Sequence, residues 1–461
     1  MPSWWLEQAL AAEGDPEPAP ALEGEAEADV AVVGGGYTGL WTALALRERL
    51  PDARVVVLEA EICGHGPSGR NGGFLNGWWP ALGDLRRLFG DEGALEVARV
   101  GARIVPAVRD FCERRGEDVW LRAGGELKVS AAPAQDAAVE EAVEAARALG
   151  VDEEAVPLSA AEVRARCDSP VFRGGVFFRD GANVQPALLV RALRRAALAD
   201  GVTVHEGSPV VGLEDGAVRT PRGRLHAEEI VLATNAALTG WGPVSRRLTN
   251  FGSYVVLTEQ VPELVERIGW TGGESIVDGR MFVHYCRTTR DGRVLMGSGS
   301  GPIGFGGKID ERFSRDHPTA ARAEAGLRRL LPGLAEARVE RSWGGPIDVS
   351  ADHLPFFGTV PGKRVHYGAG YSGNGVGPSW VGGQVLASLV AGLDDEWTRL
   401  PLVTRRVKPL PPEPLKRLGG GLVRTAIMAC EAAEEQGRRG PLPARAAAAL
   451  PRLLGMQIGT R

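Results

Sequence analysis

Gly34, Gly36 and Gly39 are spaced G-x-G-x-x-G between an apolar run, 30–33, and a helical pattern, and Glu59 closes a second apolar run, 54–58. Glycine at 34 permits a tight turn off a strand, glycine at 36 removes the Cβ that would hold a pyrophosphate off the backbone, and glycine at 39 lets the helix approach the sheet. Phosphate oxygens would meet the unpaired N–H groups and the positive dipole end of that helix. A carboxylate at 59 is placed to accept hydrogen bonds from ribose hydroxyls and repels a 2′-phosphate, which disfavours NADP. In a chain with 63 glycines the hexapeptide alone is weak evidence. With the strand, the helix and the acid around it, it reads as a β-α-β dinucleotide site.

A glycine-dense loop follows, CGHGPSGRNGGFLNGWW, carrying His65, Ser68, Arg70, Asn71, Gly72 and Gly73. Its glycines cannot stabilise a helix or strand interior, so the loop serves backbone shape and close approach to something. A third cluster, GYSGNGVGPS, returns near the C-terminal end and contains Tyr371, Gly373, Asn374, Gly375 and Val376. Three separated segments suit a long ligand with two phosphates and a tricyclic ring, which favours FAD. An NAD-dependent dehydrogenase and a flavoprotein without a catalytic role stand as alternatives.

Candidates for substrate recognition are fewer. Arg287, in the strand-like HYCRTT, either forks onto a carboxylate or phosphonate or makes a surface ion pair. Tyr371 either borders the substrate or packs. His284 and Tyr285 alternate along one strand, so one faces a pocket and the other the core. Asp348 and Asp352 read as loop hydrogen-bonders, Cys286 as a buried thiol, and Trp78 and Trp79 as packing with a possible share in the cavity wall.

The elements that position these residues follow from periodicity. An acidic, proline-bearing leader, 13–27, precedes the first strand, and Trp4 and Trp5 in the arm before it clip that arm either onto the body of the protein, the favoured reading, or onto a partner chain. Residues 85–116 carry a helical apolar stripe, kinked at Pro106. Residues 120–129 read as a strand or hairpin and 132–149 as another helix. A turn and amphipathic helix at 180–200 lead into short strands at 202–205, 210–214, 217–220 and 229–233. From 254 to 299 the chain alternates as a β-sheet does, 324–331 ends a helix, and 382–393 forms another. Beyond a proline-rich PLPPEP the tail contains one amphipathic helix, 422–436.

With 461 residues the chain exceeds one hydrophobic core, and its 44% hydrophobic and 24% charged residues describe a folded protein of two or more domains. A formal net charge of −5 gives no basic face for nucleic acid. The five cysteines are scattered without metal spacing, which predicts reduced thiols, a cytoplasmic location and no zinc. Neither a signal peptide nor a transmembrane segment is expected.

The motifs VVGGGYTGLWTAL, VVLEAEICGHGPSGRNGG, GANVQPALLVRAL, IVLATNA and GYSGNGVGPS occur here in one order over nearly the whole chain. In this order they resemble the D-amino-acid oxidase superfamily of FAD-dependent oxidoreductases, in its glycine oxidase and sarcosine oxidase branch. Within that branch the likeness runs to γ-glutamylputrescine oxidoreductases and aminophosphonate oxidoreductases, the latter also through PPEPLKRLGG. The resemblance implies an α/β fold: a Rossmann-like FAD-binding domain (26–80, 155–240 and 335–400) with an interleaved antiparallel β-sheet substrate domain (81–154 and 241–334). An arm, 1–25, and a helical extension, 401–461, flank them. It implies that Gly34, Gly36, Gly39 and Glu59 hold the ADP half of FAD. Ser68, Arg70, Asn71, Gly72 and Gly73 would lie along the pyrophosphate and flavin, Val210 beside the adenine, and Gly373, Asn374, Gly375 and Val376 at the pyrimidine edge. The segment that can carry a flavin-linking cysteine in sarcosine oxidases reads SWGGPI here, and His65 precedes the SGRNGG signature, so FAD is expected to be non-covalent and His65 structural or substrate-facing. The implied reaction is hydride transfer from the carbon of a small amine or amino-acid-like substrate, such as an aminophosphonate or polyamine conjugate, to flavin. Oxygen or another electron acceptor would follow. That scheme needs no strong acid-base residue, and Arg287, Tyr371 and His65 are the side chains assigned to the substrate side.

Overall fold

A computed structural model of the chain describes residues 2–453. Two large sheets dominate it. The first has the spatial order Phe356–Thr359, Val365–Ala369, Gly223–Leu232, Gly24–Val33, Val55–Leu58 and Thr203–His205, with a ribbon of Gly212–Glu214 and Ala217–Arg219 attached to Gly223–Leu232. The five strands from Val365–Ala369 to Thr203–His205 run parallel. Parallel strands are covered on both faces, and the near-continuous apolar runs at 30–33 and 55–58 answer that requirement. Helices Tyr37–Arg49, Pro186–Ala199 and Pro378–Val390 bury one face in the main core, and a second apolar cluster around Leu232, Phe356 and Tyr367 fills the other.

The second sheet has eight strands in the order Val339–Ser350, Leu248–Thr258, Val294–Ser298, His284–Thr288, Ser275–Asp278, Glu126–Ser130, Gly174–Phe178 and Val156–Ser159. It is antiparallel except where Ser275–Asp278 meets Glu126–Ser130. One face carries Leu127, Val129, Val256, Ile276, Cys286 and Met296 into a separate core closed by the helix His317–Leu330. The alternate residues, among them Glu126, Lys128, Val255, Val277, Tyr285 and Arg287, point the other way, toward the first sheet and its loops. Strands Val156–Ser159, Gly174–Phe178 and Val339–Ser350 thus belong to this sheet by hydrogen bonding, whereas the family likeness placed those residues with the nucleotide domain.

Other expectations shift for local reasons. The long helical stretch breaks at Gly90, whose φ is +72°, and again at Arg103, between Leu82–Ala102 and Ile104–Arg115, and not at Pro106. Pro106 sits in the first turn of the second helix, where a missing N–H costs nothing. The strand expected from 120 starts only at Glu126, because Trp120 takes a positive φ and the Gly124–Gly125 pair intervenes. The leader is not exposed throughout: Leu22 is buried, and the first strand starts at Gly24, paired with Gly223. The tail forms two helices, Leu415–Glu434 and Leu442–Leu453. No described helix is long and apolar enough to cross a membrane, and no group of metal ligands occurs among the described residues.

Candidate active site

Two chambers meet between the sheets. The first, about 740 Å³, opens at the C-terminal end of the parallel strands, and the second, about 590 Å³, lies between the inner face of the second sheet and the loops of the first. Pro67, Asn71, Ile347, Tyr371, Gly373 and Val376 border both. A long ligand therefore has one continuous wall to follow from the strand ends to the second sheet.

The first chamber is built by the glycine turn. Gly34 has φ +115°, and a Cβ there would come 2.5 Å from the Ala233 carbonyl oxygen, so no other residue fits without moving the adjacent strand end. Gly36 is the N-cap of the helix Tyr37–Arg49 and supplies no capping side chain; the Ser68 Oγ accepts from the Tyr37 N–H at 3.0 Å instead. Glu59 lines the same chamber, its carboxylate accepting from the N–H groups of Gly35 (2.7 Å) and Glu61 (3.0 Å). Burial raises the pKa of this carboxyl, and those N–H groups oppose the rise. Val210 stands on the far wall. A helix N-terminus without its own cap, a Cβ-free turn and an acid at the second strand end form a cradle that fits the ADP half of a dinucleotide.

The SGRNGG loop joins the chambers and is braced from behind. Asn71 Nδ2 donates to the Pro67 and Ser68 carbonyls, and its Oδ1 accepts from the Gly73 N–H at 2.7 Å. Arg70 Nε donates to the His65 carbonyl at 2.9 Å. The outward carbonyls of this loop are claimed by tryptophans: Trp343 Nε1 donates to Arg70 (2.8 Å) and Trp5 Nε1 to Asn71 (3.1 Å). Trp5 is fully buried in the helix Trp4–Ala12, so the arm does clip onto the body, and what it holds is the back of the ligand loop.

Arg287 belongs to that brace. It is 2% exposed, borders neither chamber, donates from Nη1 to the Val184 carbonyl at 2.7 Å and lies 5.2 Å over the Trp5 ring. Burial draws its pKa down to about 9. Its Nη1 instead lies against the Val184 carbonyl and the Gly73 carbonyl of the ligand loop. His65 likewise borders neither chamber; it contributes its carbonyl to Arg70. Tyr371 does border both, with its hydroxyl accepting from Thr38 Oγ1 at 2.8 Å, and burial keeps that phenol protonated. Gly72 and Asn374 line the second chamber, Gly375 the first, and Gly373 and Val376 both, whereas Gly73 is turned toward Val184 and Arg287.

Tyr285 faces the second chamber, its hydroxyl 2.9 Å from Ser253 Oγ, and His284 faces the core beside Asp278. Asp348 lies in the strand Val339–Ser350 and not in a loop; its carboxyl accepts from the Gly370 N–H and from Asn235 Nδ2, and burial raises its pKa to about 7. Asp352 pairs with Arg405 at 2.9 Å, and the Cys286 thiol is buried with its pKa pushed up. Trp78 is part of the cavity wall, and Trp79 Nε1 donates to Asp180.

Several polar wall residues were not singled out from the sequence, Glu126, Lys128 and His353 among them. Glu126 and Lys128 project from one strand into the second chamber at 7% and 8% exposure. The signal was present, since a Glu-x-Lys alternation inside the apolar run ELKV puts two charges on one face of a strand. His353 lines the same chamber with φ +58°, and burial keeps its imidazole neutral, with a pKa near 4. The roof comes from the tail: Leu415, Val423 and Ile427 of one helix and Leu450 and Pro451 of the next border the second chamber.

Comparison with known proteins agrees with this architecture. Residues 29–389 match the family described as DAO, FAD dependent oxidoreductase. The chain is 29% identical over 370 residues to gamma-glutamylputrescine oxidoreductase of Escherichia coli, covering 79% of this chain and 84% of that protein. It is 25% identical over 388 residues to the probable oxidoreductase OrdL of Haemophilus influenzae, with coverage of 82% and 86%. Among solved structures, glycine oxidase from Geobacillus kaustophilus superposes with a TM-score of 0.68 at 22% identity, over 83% of this chain and 100% of that one, which is a likeness of fold. The roofing helices lie beyond the matched family region.

Proposed function

Because the chain belongs to the DAO family of FAD-dependent oxidoreductases, we propose that it oxidises a C–N bond in a small amine or amino-acid-like substrate, with hydride transfer from the carbon beside nitrogen. Aminophosphonates and polyamine conjugates are the finer candidates. The observation that carries this reading is the continuity of the two chambers through Asn71, Tyr371 and Gly373. FAD, when bound, supplies the two-electron acceptor for the hydride.

Gly34, Gly36, Gly39, Glu59 and Val210 would hold the ADP half in the first chamber. Ser68, Arg70, Asn71, Gly72 and Gly73 would carry the turn into the second, with Gly373, Asn374, Gly375 and Val376 along the far edge of the ring. No covalent link is needed: residues 342–347 include no cysteine, and His65 borders neither chamber. The chain's own residues then do three things. Tyr371 and Tyr285 confine the reacting carbon between the loops and the second sheet. The tail helices close the chamber from above and keep water from it. The apolar wall of Val255, Val277 and Ile347 disfavours an ammonium, so an amine loses its proton more readily there than in water, as hydride loss from the neighbouring carbon requires. The imine released hydrolyses to a carbonyl compound and an amine or ammonia, and the electrons pass to oxygen or another acceptor.

The test is an anaerobic panel of aminophosphonates, N-methylated amino acids and polyamine conjugates, added to the purified protein and read by bleaching of the flavin band. Bleaching by at least one member is expected. A protein that takes up no FAD, or whose flavin no amine reduces, overturns the reading, and the rate of colour return in air against an artificial acceptor identifies the oxidant.

A further inference from the structure

We propose that Lys128 is the recognition cation for an anionic group, a carboxylate or a phosphonate, carried by the amine that this enzyme oxidises; the proposal rests on the amine-oxidation reading above. The strand Glu126–Ser130 alternates, so Leu127 and Val129 enter the outer core and Glu126 and Lys128 face the second chamber. Lys128 is 8% exposed, and among the described residues no hydrogen bond or close ion pair engages its ammonium; burial lowers its pKa, and the nearby Glu126 and Glu141 carboxylates oppose that shift. An ammonium held on an inner strand without a direct hydrogen bond is costly, and a packing position there is filled more cheaply by an aliphatic side chain.

The other cations on the wall are already engaged. Arg70 donates to the His65 and Gly344 carbonyls, Lys416 to the Leu248 carbonyl and Arg424 to the Ser300 carbonyl. Glu126, two residues away on the same face, accepts from Asn76 Nδ2 and so leaves the lysine's donors open. Asn76 Oδ1 is itself buried without a partner on the same wall, an acceptor suited to an N–H of the molecule whose anionic end meets Lys128. Three open donors beside one open acceptor match a substrate bearing both an anion and an amine.

Calorimetric titration of the flavin-loaded enzyme with propionate, n-propylphosphonate and the neutral propionamide tests this without relying on turnover. Both anions are expected to bind, with propionamide weaker by about tenfold or more. Lys128→Met should cost each anion about tenfold and leave propionamide unchanged, and Lys128→Arg should retain most of the affinity. The tighter of the two anions identifies the substrate's acid. The proposal is overturned if neither anion binds saturably, if propionamide binds the wild type as tightly as propionate, or if Lys128→Met changes anion affinity by less than about twofold. The first two outcomes need no variant to fold. Failure of flavin reduction by every amine, by contrast, sinks the reaction and not the binding result.

Discussion

Arg287 and Lys128 are two buried cations on the same face of the same sheet, and they have opposite surroundings. Arg287 is closed in by the Val184 and Gly73 carbonyls and the Trp5 ring, on the back of the ligand loop. Lys128 faces an open chamber with no hydrogen bond to its ammonium, and only the longer-range charges of Glu126 and Glu141 act on it. The guanidinium lies against backbone carbonyls and a ring, with its Nε left unpaired and no chamber beside it, which makes it part of the scaffold; the ammonium reaches a chamber with no hydrogen bond from the fold, which makes it part of the site. Residue type alone points the wrong way here, because the arginine has the fork suited to a carboxylate.

The contrast is broken most sharply at the scaffold end. Arg287→Met is expected to lower unfolding stability by about 3–5 kcal/mol, since it removes the donor to the Val184 carbonyl and leaves a void, and to loosen FAD retention. Thermal denaturation and the flavin content after gel filtration measure both, and a variant as stable and as yellow as wild type would return Arg287 to the substrate side. Trp5→Ala removes the ring beneath that guanidinium and the donor to Asn71, and should cost about 3–5 kcal/mol in the same assay. At the other pole, Lys128→Met should change stability by no more than about 1 kcal/mol, or raise it, because a charge without a hydrogen bond is exchanged for an apolar side chain of similar length. A loss as large as that of Arg287→Met would place Lys128 in the scaffold too.

The smallest effect separates the two charges at the chamber wall. Burial raises the Glu126 pKa to about 7, above its ordinary 4.5. A carboxyl raised in the folded state contributes stability that is present below about pH 4.5 and lost as the pH climbs through about 7. Glu126→Gln has no such loss. Relative to wild type, its melting temperature should therefore gain on the order of a few degrees between pH 5 and pH 8. Asp348, raised in the same way, is present in both proteins and cancels from the difference. Parallel melting curves at the two pH values would show that Glu126 ionises as freely as in the unfolded chain.

What the sequence alone determined is local. The glycine turn, its helix and Glu59 were legible because a β-α-β nucleotide unit is specified within one short segment, where φ, Cβ clearance and strand apolarity act on near neighbours. The SGRNGG and GYSGNGVG loops were legible for the same reason, and so was the burial of Cys286 and of one neighbour in the His284–Tyr285 pair, which alternation predicts. Pairing between distant segments was not legible. Val339–Ser350 joins the second sheet through its ladder with Leu248–Thr258, and nothing within either strand announces its partner. The roof of the chamber depends in the same way on where the tail helices dock. The two cations were decided last of all, by tertiary structure alone: Arg287 and Lys128 occupy equivalent faces of their strands, and what separates scaffold from site is whether a loop more than 200 residues away in the chain, or an open chamber, lies opposite.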